Sequence, residues 1–225
     1  AGDVSLASDI DDIERIRAAL DHERLILLGH SWGAILALEY ALGHPGKVSH
    51  LVLMNPAPVA AADVETMRAE YLRRLGTAMD HQRGIRDSEA YRAGDPETVA
   101  ARYRIHFRPA VRDDDDYERL MATMRAGFIR QGSAGILLAR AVEDRLMADT
   151  WAMQGYDLSL RLREASVPTL VIAGRHDFMA SAADRITASI PGATQVTLDD
   201  CGHFAYLESP EQTRAALDGF IGTKR

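Results

Sequence analysis

The pentapeptide Gly29-His30-Ser31-Trp32-Gly33 constrains this chain more than any other feature. It stands where a short aliphatic run, RLILL, gives way to AILALEYAL, whose apolar spacing is helical until His44-Pro45 stops it. A strand that passes directly into a helix must bend sharply. Small residues two before and two after the serine permit that bend, and the turn holds the hydroxyl out beyond the strand end. A serine hydroxyl attacks a carbonyl only when it is exposed in this way, beside a base and beside donors for the developing oxyanion. Composition alone produces a Gly-x-Ser-x-Gly string in roughly one in ten chains of this length. The placement between strand and helix therefore carries the argument.

A nucleophilic serine of this kind needs an acid and a histidine later in the chain, in that order. After the run TLVIA comes Gly174-Arg175-His176-Asp177, and after QVTL comes Asp199-Asp200-Cys201-Gly202-His203-Phe204. In an open parallel sheet the loops that follow the strands share one edge. Ser31, Asp177 and His203 are therefore expected to meet there. His203 would take the Ser31 proton and return it to the leaving group, while Asp177 would fix the imidazole tautomer and stabilise its cation. His176 adjoins Asp177 in sequence and so points elsewhere. Asp199 and Asp200 read as a strand end and turn, His30 as a packing or hydrogen-bonding residue of the turn, and Cys201 as a small buried residue. Histidines 22, 44, 50, 81 and 106 lack metal-ligand spacing. Asp113 to Asp116 read as a solvated helix start, with too few further oxygens at fixed offsets for calcium.

The arrangement along the chain gives the fold class. Ile10, Ile13, Ile16 and Leu20 mark a first helix over about 9–20, with Ser8 as its cap. Unalternating apolar runs at about 25–28, 50–54, 169–173 and 194–198 read as strands of a parallel sheet covered on both faces. Between the second and third strands, patterns such as DYERLMATMRAGF are helical, with Tyr117, Leu120, Met121, Met124 and Phe128 on one face. The expected organisation is an α/β core over 1–57, a helical insertion over 58–160 and a second core segment over 161–225. With 33 acidic against 26 basic residues the net charge is −7, which offers no footprint for nucleic acid or an anionic membrane. One cysteine among 225 residues permits no internal disulfide, and no apolar run approaches the roughly 18 residues of a membrane span. A cytoplasmic location is the expectation, and no cofactor or metal is called for.

Taken together, the turn, the aspartate and the histidine resemble the α/β-hydrolase family over essentially the whole chain. Within it, GHSWGAILALEYALGHPGKVSHLVLMNPAP and YDLSLRLREASVPTLVIAGRHDFM are similar to the proline iminopeptidases. The resemblance implies that the backbone N–H of Trp32 is one oxyanion donor and that the helical insertion is a substrate-selecting cap. It also implies that Glu143, in LLARAVEDRL, stands where the family binds a substrate amine. The family's sheet has eight strands, with the nucleophile strand fifth, after a His-Gly-Gly type loop that supplies a second oxyanion donor. Four strands are visible here. A preceding segment, on the order of 60–100 residues for four strands with short connections, is therefore expected, either as a separate N-terminal chain that completes the sheet or as a part of the protein that this sequence does not include. The expected activity is hydrolysis through an acyl-enzyme on a small peptide or ester substrate, with release of an N-terminal proline or other small residue. Esterase, lactonase or C–C bond hydrolase chemistry is the alternative on the same triad, and a non-catalytic binding protein is a third reading.

Overall fold

The computed structural model describes residues 4–222. Ser5 caps the first helix, α1 (Leu6–Ala19), through a reciprocal pair: its hydroxyl accepts from the Ser8 N–H while the Ser8 hydroxyl accepts from the Ser5 N–H. The helix thus starts three residues earlier than its apolar spacing predicts, because the capping serine is Ser5 and Ser8 occupies the reciprocal position. Ile10 and Ile13 pack on the core, whereas Ile16 and Leu20 are exposed. β1 (Leu25–His30) leads through the serine turn into α2 (Gly33–Gly43), and β2 (Val48–Met54) follows. Each of these two strands is two residues longer than its apolar run, taking in Gly29 and His30 at the end of β1 and Val48 and Ser49 at the start of β2.

The insertion comprises α3 (Ala61–Leu75), α4 (Ala78–Arg86), α5 (Glu89–Arg92), α6 (Pro96–Phe107) and α7 (Asp114–Asp149). Asp113 caps α7, its carboxylate accepting from the N–H groups of Asp115 and Asp116, so the acidic run does begin a helix. Gly132, at φ 64° and ψ 177°, breaks α7 into two arms. The core resumes with β3 (Thr169–Gly174), α8 (Ala180–Ser189), β4 (Thr194–Leu198), α9 (Ala205–Glu208) and α10 (Pro210–Gly222).

All strand pairs are parallel, in the order β1-β2-β3-β4. Alternate residues of the central strands serve opposite faces. Leu51, Leu53, Val171 and Ala173 bury against the layer that contains α2 and α8, while Val52, Met54, Leu170 and Ile172 join Leu217 and Phe220 of α10. Each face is dry, which is why neither central strand alternates in sequence. β1 differs: Ile26 and Leu28 are 50% and 46% exposed, and its outer edge pairs with no strand among the described residues. The two necks of the insertion hold each other, with the Leu158 N–H bonded to the Val59 carbonyl and an antiparallel bridge between Ala60 and Asp157. The Trp151 indole N–H, just past the end of α7, donates to the Pro58 carbonyl. No helix among the described residues is long and apolar enough to cross a membrane.

Candidate active site

The turn after β1 closes on itself so tightly that a Cβ on Gly29 would lie 2.3 Å from the Gly33 carbonyl oxygen. Only a glycine fits there. Ser31 takes a left-handed backbone conformation, φ 54°, which a non-glycine residue keeps only when its surroundings over-determine it. Those surroundings are the Ser31 N–H bonded to the Met54 carbonyl and the Ser31 carbonyl accepting from Ala34 and Ala57. The hydroxyl is thereby carried above the carboxyl end of the sheet, next to the Trp32 N–H at the start of α2. The Trp32 indole N–H reaches Thr150 Oγ1 at 3.3 Å, tying the turn to the end of α7.

Ser31, His203 and Asp177 form one hydrogen-bonded chain. Ser31 Oγ lies 2.9 Å from His203 Nε2, and His203 Nδ1 lies 2.9 Å from Asp177 Oδ2. Asp177 and His203 are each only 3% exposed. Burial by itself would push the Asp177 carboxyl up, but the facing His203 and hydrogen bonds from His203, the Met179 N–H and Asn55 outweigh it. The group therefore stays below the usual carboxylate range and remains ionised. His176, by contrast, is exposed beside Arg112, and Asp199 and Asp200 pair outward with Arg175 and Arg112.

Two further side chains that no motif singles out, buried Asn55 and half-buried Glu208, hold this chain in place. Asn55 follows β2 with φ 44°, and its amide donates to Asp177 Oδ2 and to the Gly202 carbonyl, both at 3.0 Å. Its position was the available signal: a polar residue just past a buried strand, on the same edge as Ser31 and Asp177. Glu208 accepts from the N–H groups of Gly202, Phe204 and Arg112 at 3.0, 3.0 and 2.9 Å. It thus ties the His203 loop to the insertion, and the His203 N–H bonds the Ala110 carbonyl at 2.7 Å as well. A Cβ on Gly174 would lie 2.0 Å from the Gly202 carbonyl, so the loops after β3 and β4 can meet only across a glycine.

His30 Nε2 lies 2.9 Å from the His203 carbonyl, an acceptor, so that nitrogen carries the proton and donates. Burial and the neighbouring His203 lower the His30 pKa to about 4. His106 of α6 is likewise lowered to about 4 by burial, Arg102 and His203, and its Nδ1 lies 2.8 Å from the Tyr71 hydroxyl. Unfolding restores both imidazoles to ordinary values near 6.5, so between pH 6.5 and 4 the unfolded chain binds more protons than the folded one. Stability is therefore expected to fall on acidification through that window, by on the order of 3 kcal/mol for each histidine. Urea unfolding at pH 7 and pH 4.5 checks this; equal free energies at the two pH values would contradict it.

The wall around His203 is aromatic. Phe178, Phe204 and His30 lie within 5.5 Å of its ring centre, and Phe107 packs edge-on to Phe204. Glu143, on the second arm of α7, is exposed, and its carboxylate acts electrostatically on Tyr103. A cavity of about 570 Å3 lies at the opposite end of β2 among residues such as Arg24, His44 and His50, remote from Ser31.

The chain is 23% identical over 215 residues to a proline iminopeptidase of Heyndrickxia coagulans, covering 95% of this chain and 72% of that protein. It is 27% identical over 218 residues to the AB hydrolase superfamily protein YclE of Bacillus subtilis, covering 94% and 73%. Among solved structures, Est816, described as an N-acyl homoserine lactone degrading enzyme, superposes with a TM-score of 0.67 at 21% identity, covering 97% of this chain and 75% of that one. The family model described as the alpha/beta hydrolase fold matches residues 2–210. With the parallel sheet and the serine turn in place, this match assigns the chain to the α/β-hydrolase fold family.

Proposed function

We propose that the protein is a serine hydrolase that forms an acyl-enzyme on Ser31 and releases N-terminal proline or another small residue from short peptides. The observation that carries the proposal is the hydrogen-bonded chain from Ser31 through His203 to Asp177 at 2.9 Å per step. His203 Nε2 takes the hydroxyl proton as Oγ attacks the carbonyl, Asp177 stabilises the imidazolium, and the Trp32 N–H faces the oxyanion. The proton then passes to the leaving amine, and water repeats the sequence on the acyl group. The likeness to the Heyndrickxia coagulans proline iminopeptidase supports the peptide substrate. An exposed β1 edge with Ile26 and Leu28 supports a further strand there, supplied by an N-terminal segment that brings a second oxyanion donor.

A fluorophosphonate probe tests the chemistry. Peptide mass spectrometry is expected to place the adduct on Ser31, and an unlabelled protein or an adduct elsewhere would refute the assignment. Glu143→Gln tests the amine contact: it should weaken cleavage of a prolyl-arylamide about tenfold or more, a loss typical of one charged contact, while sparing an aryl ester. Equal effects on both substrates would remove Glu143 from the site. A second reading, ester or lactone hydrolysis, draws support from the exposed position of Glu143 and the aromatic wall around His203. The same pair of substrates decides between the two.

A further inference from the structure

Apart from the triad, the insertion holds a cavity of about 220 Å3 between α3, α4 and α6, lined by Leu72, Met79, Gln82, Arg83, Arg86 and Arg102. Three arginines line it and no carboxylate does, in a chain of net charge −7. Arg102 Nε is buried and has no hydrogen-bond partner, and the guanidinium faces the rings of Tyr91 and Tyr103, at 5.6 and 5.3 Å, where a carboxylate would be expected. Arg83 and Arg86 touch only exposed aspartates, Asp80 at 3.4 Å and Asp87 at 3.6 Å, contacts too solvated to neutralise them. A second guanidinium, that of Arg140, stacks 3.7 Å from the Tyr91 ring centre, and its Nη2 is also buried without a partner. Burying N–H donors of a cation without acceptors is costly, so the Arg102 guanidinium that lines the cavity stands as a cation whose surroundings supply no anion.

We propose that this cavity binds a small oxyanion, a phosphate or carboxylate group, between Arg83, Arg86 and Arg102, with the Gln82 amide as a further donor. The charge excludes a metal cation or an ammonium group, and guanidinium forks match the paired oxygens of carboxylate and phosphate. Gln82 uses one N–H on the Tyr71 hydroxyl at 3.2 Å, which leaves its second for the ligand. The occupant would then sit behind a connected wall of the active site. Tyr71 bonds His106, His106 packs on Phe107, and Phe107 packs on Phe204 beside His203.

Calorimetric titration of the purified protein with sodium phosphate, and separately with sodium acetate, at fixed ionic strength tests the proposal. Saturable binding at one site per chain is expected, with the tighter of the two anions identifying a phosphoryl or a carboxylate ligand. Arg83→Gln with Arg86→Gln should weaken it at least tenfold, as should Arg102→Met, while Arg130→Gln, on exposed α7 surface, should leave it unchanged. Absence of saturation with both anions would overturn the site. Equal weakening by Arg130→Gln would do so too, by showing an adventitious surface ion only. Should Arg102→Met fail to fold in a thermal melt, the Arg83/Arg86 pair, whose side chains are 55% and 61% exposed, decides the matter. The titration needs no turnover, so a failure of the Ser31 chemistry would leave this result readable.

Discussion

Ser31→Ala is expected to lower kcat for an activated aryl ester by about 10^5- to 10^6-fold, the loss seen when a triad nucleophile is removed, and to abolish fluorophosphonate labelling. The alanine methyl offers His203 Nε2 nothing to deprotonate, so only transition-state contacts such as the Trp32 N–H remain. Stability should change little, because the backbone conformation at φ 54° is held by main-chain bonds to Met54, Ala34 and Ala57 and not by the hydroxyl. Steady-state kinetics and a thermal melt on the same preparation separate the two effects. Residual activity within tenfold of the parent would end the acyl-enzyme reading. Adding Asp177→Asn to Ser31→Ala should cost almost nothing more, since members of one catalytic unit are not additive.

Alone, Asp177→Asn is expected to reduce kcat about 10^4-fold with Ser31 and His203 still present. Asp177 Oδ1 accepts from the Met179 N–H, and Oδ2 accepts from Asn55 Nδ2 and His203 Nδ1. An amide NH2 must face a donor on whichever side it takes. If it faces His203, the ring is driven to the tautomer with its proton on Nε2, which cannot accept the Ser31 proton. If it faces Met179, a buried donor is left against a donor, costing about 1–3 kcal/mol. The first orientation also sets a donor against the Asn55 amide, so both cost stability and the kinetics distinguish them, and a variant of full activity would show that Asp177 does not set the tautomer.

That Ser31, Asp177 and His203 meet at one sheet edge was legible because each position depends on local patterns: an aliphatic run, a tight glycine-framed bend, and a polar residue just beyond a strand. The helical insertion was equally legible, since Tyr117, Met121 and their neighbours repeat at helical spacing regardless of what they pack against. Asn55 and Glu208 were not. Their work is done on atoms 122 and 147 residues away for Asn55, and 96 residues away for the Glu208 contact to Arg112. The first helix starts earlier than its apolar face suggests, because a cap is a hydrogen bond and not a periodicity.

By itself, then, the sequence determined which side chains stand at the strand ends and in what order, because residue type and strand-end position are local properties. Tertiary structure alone decided that the Asn55 amide and the Glu208 carboxylate lock the His203 loop and that His30 and His106 are held neutral. It also left the Arg102 Nε buried without an acceptor. Each of these depends on which distant groups the packed sheet and insertion bring within hydrogen-bonding range or withdraw from water, and no pattern along a single chain records that distance.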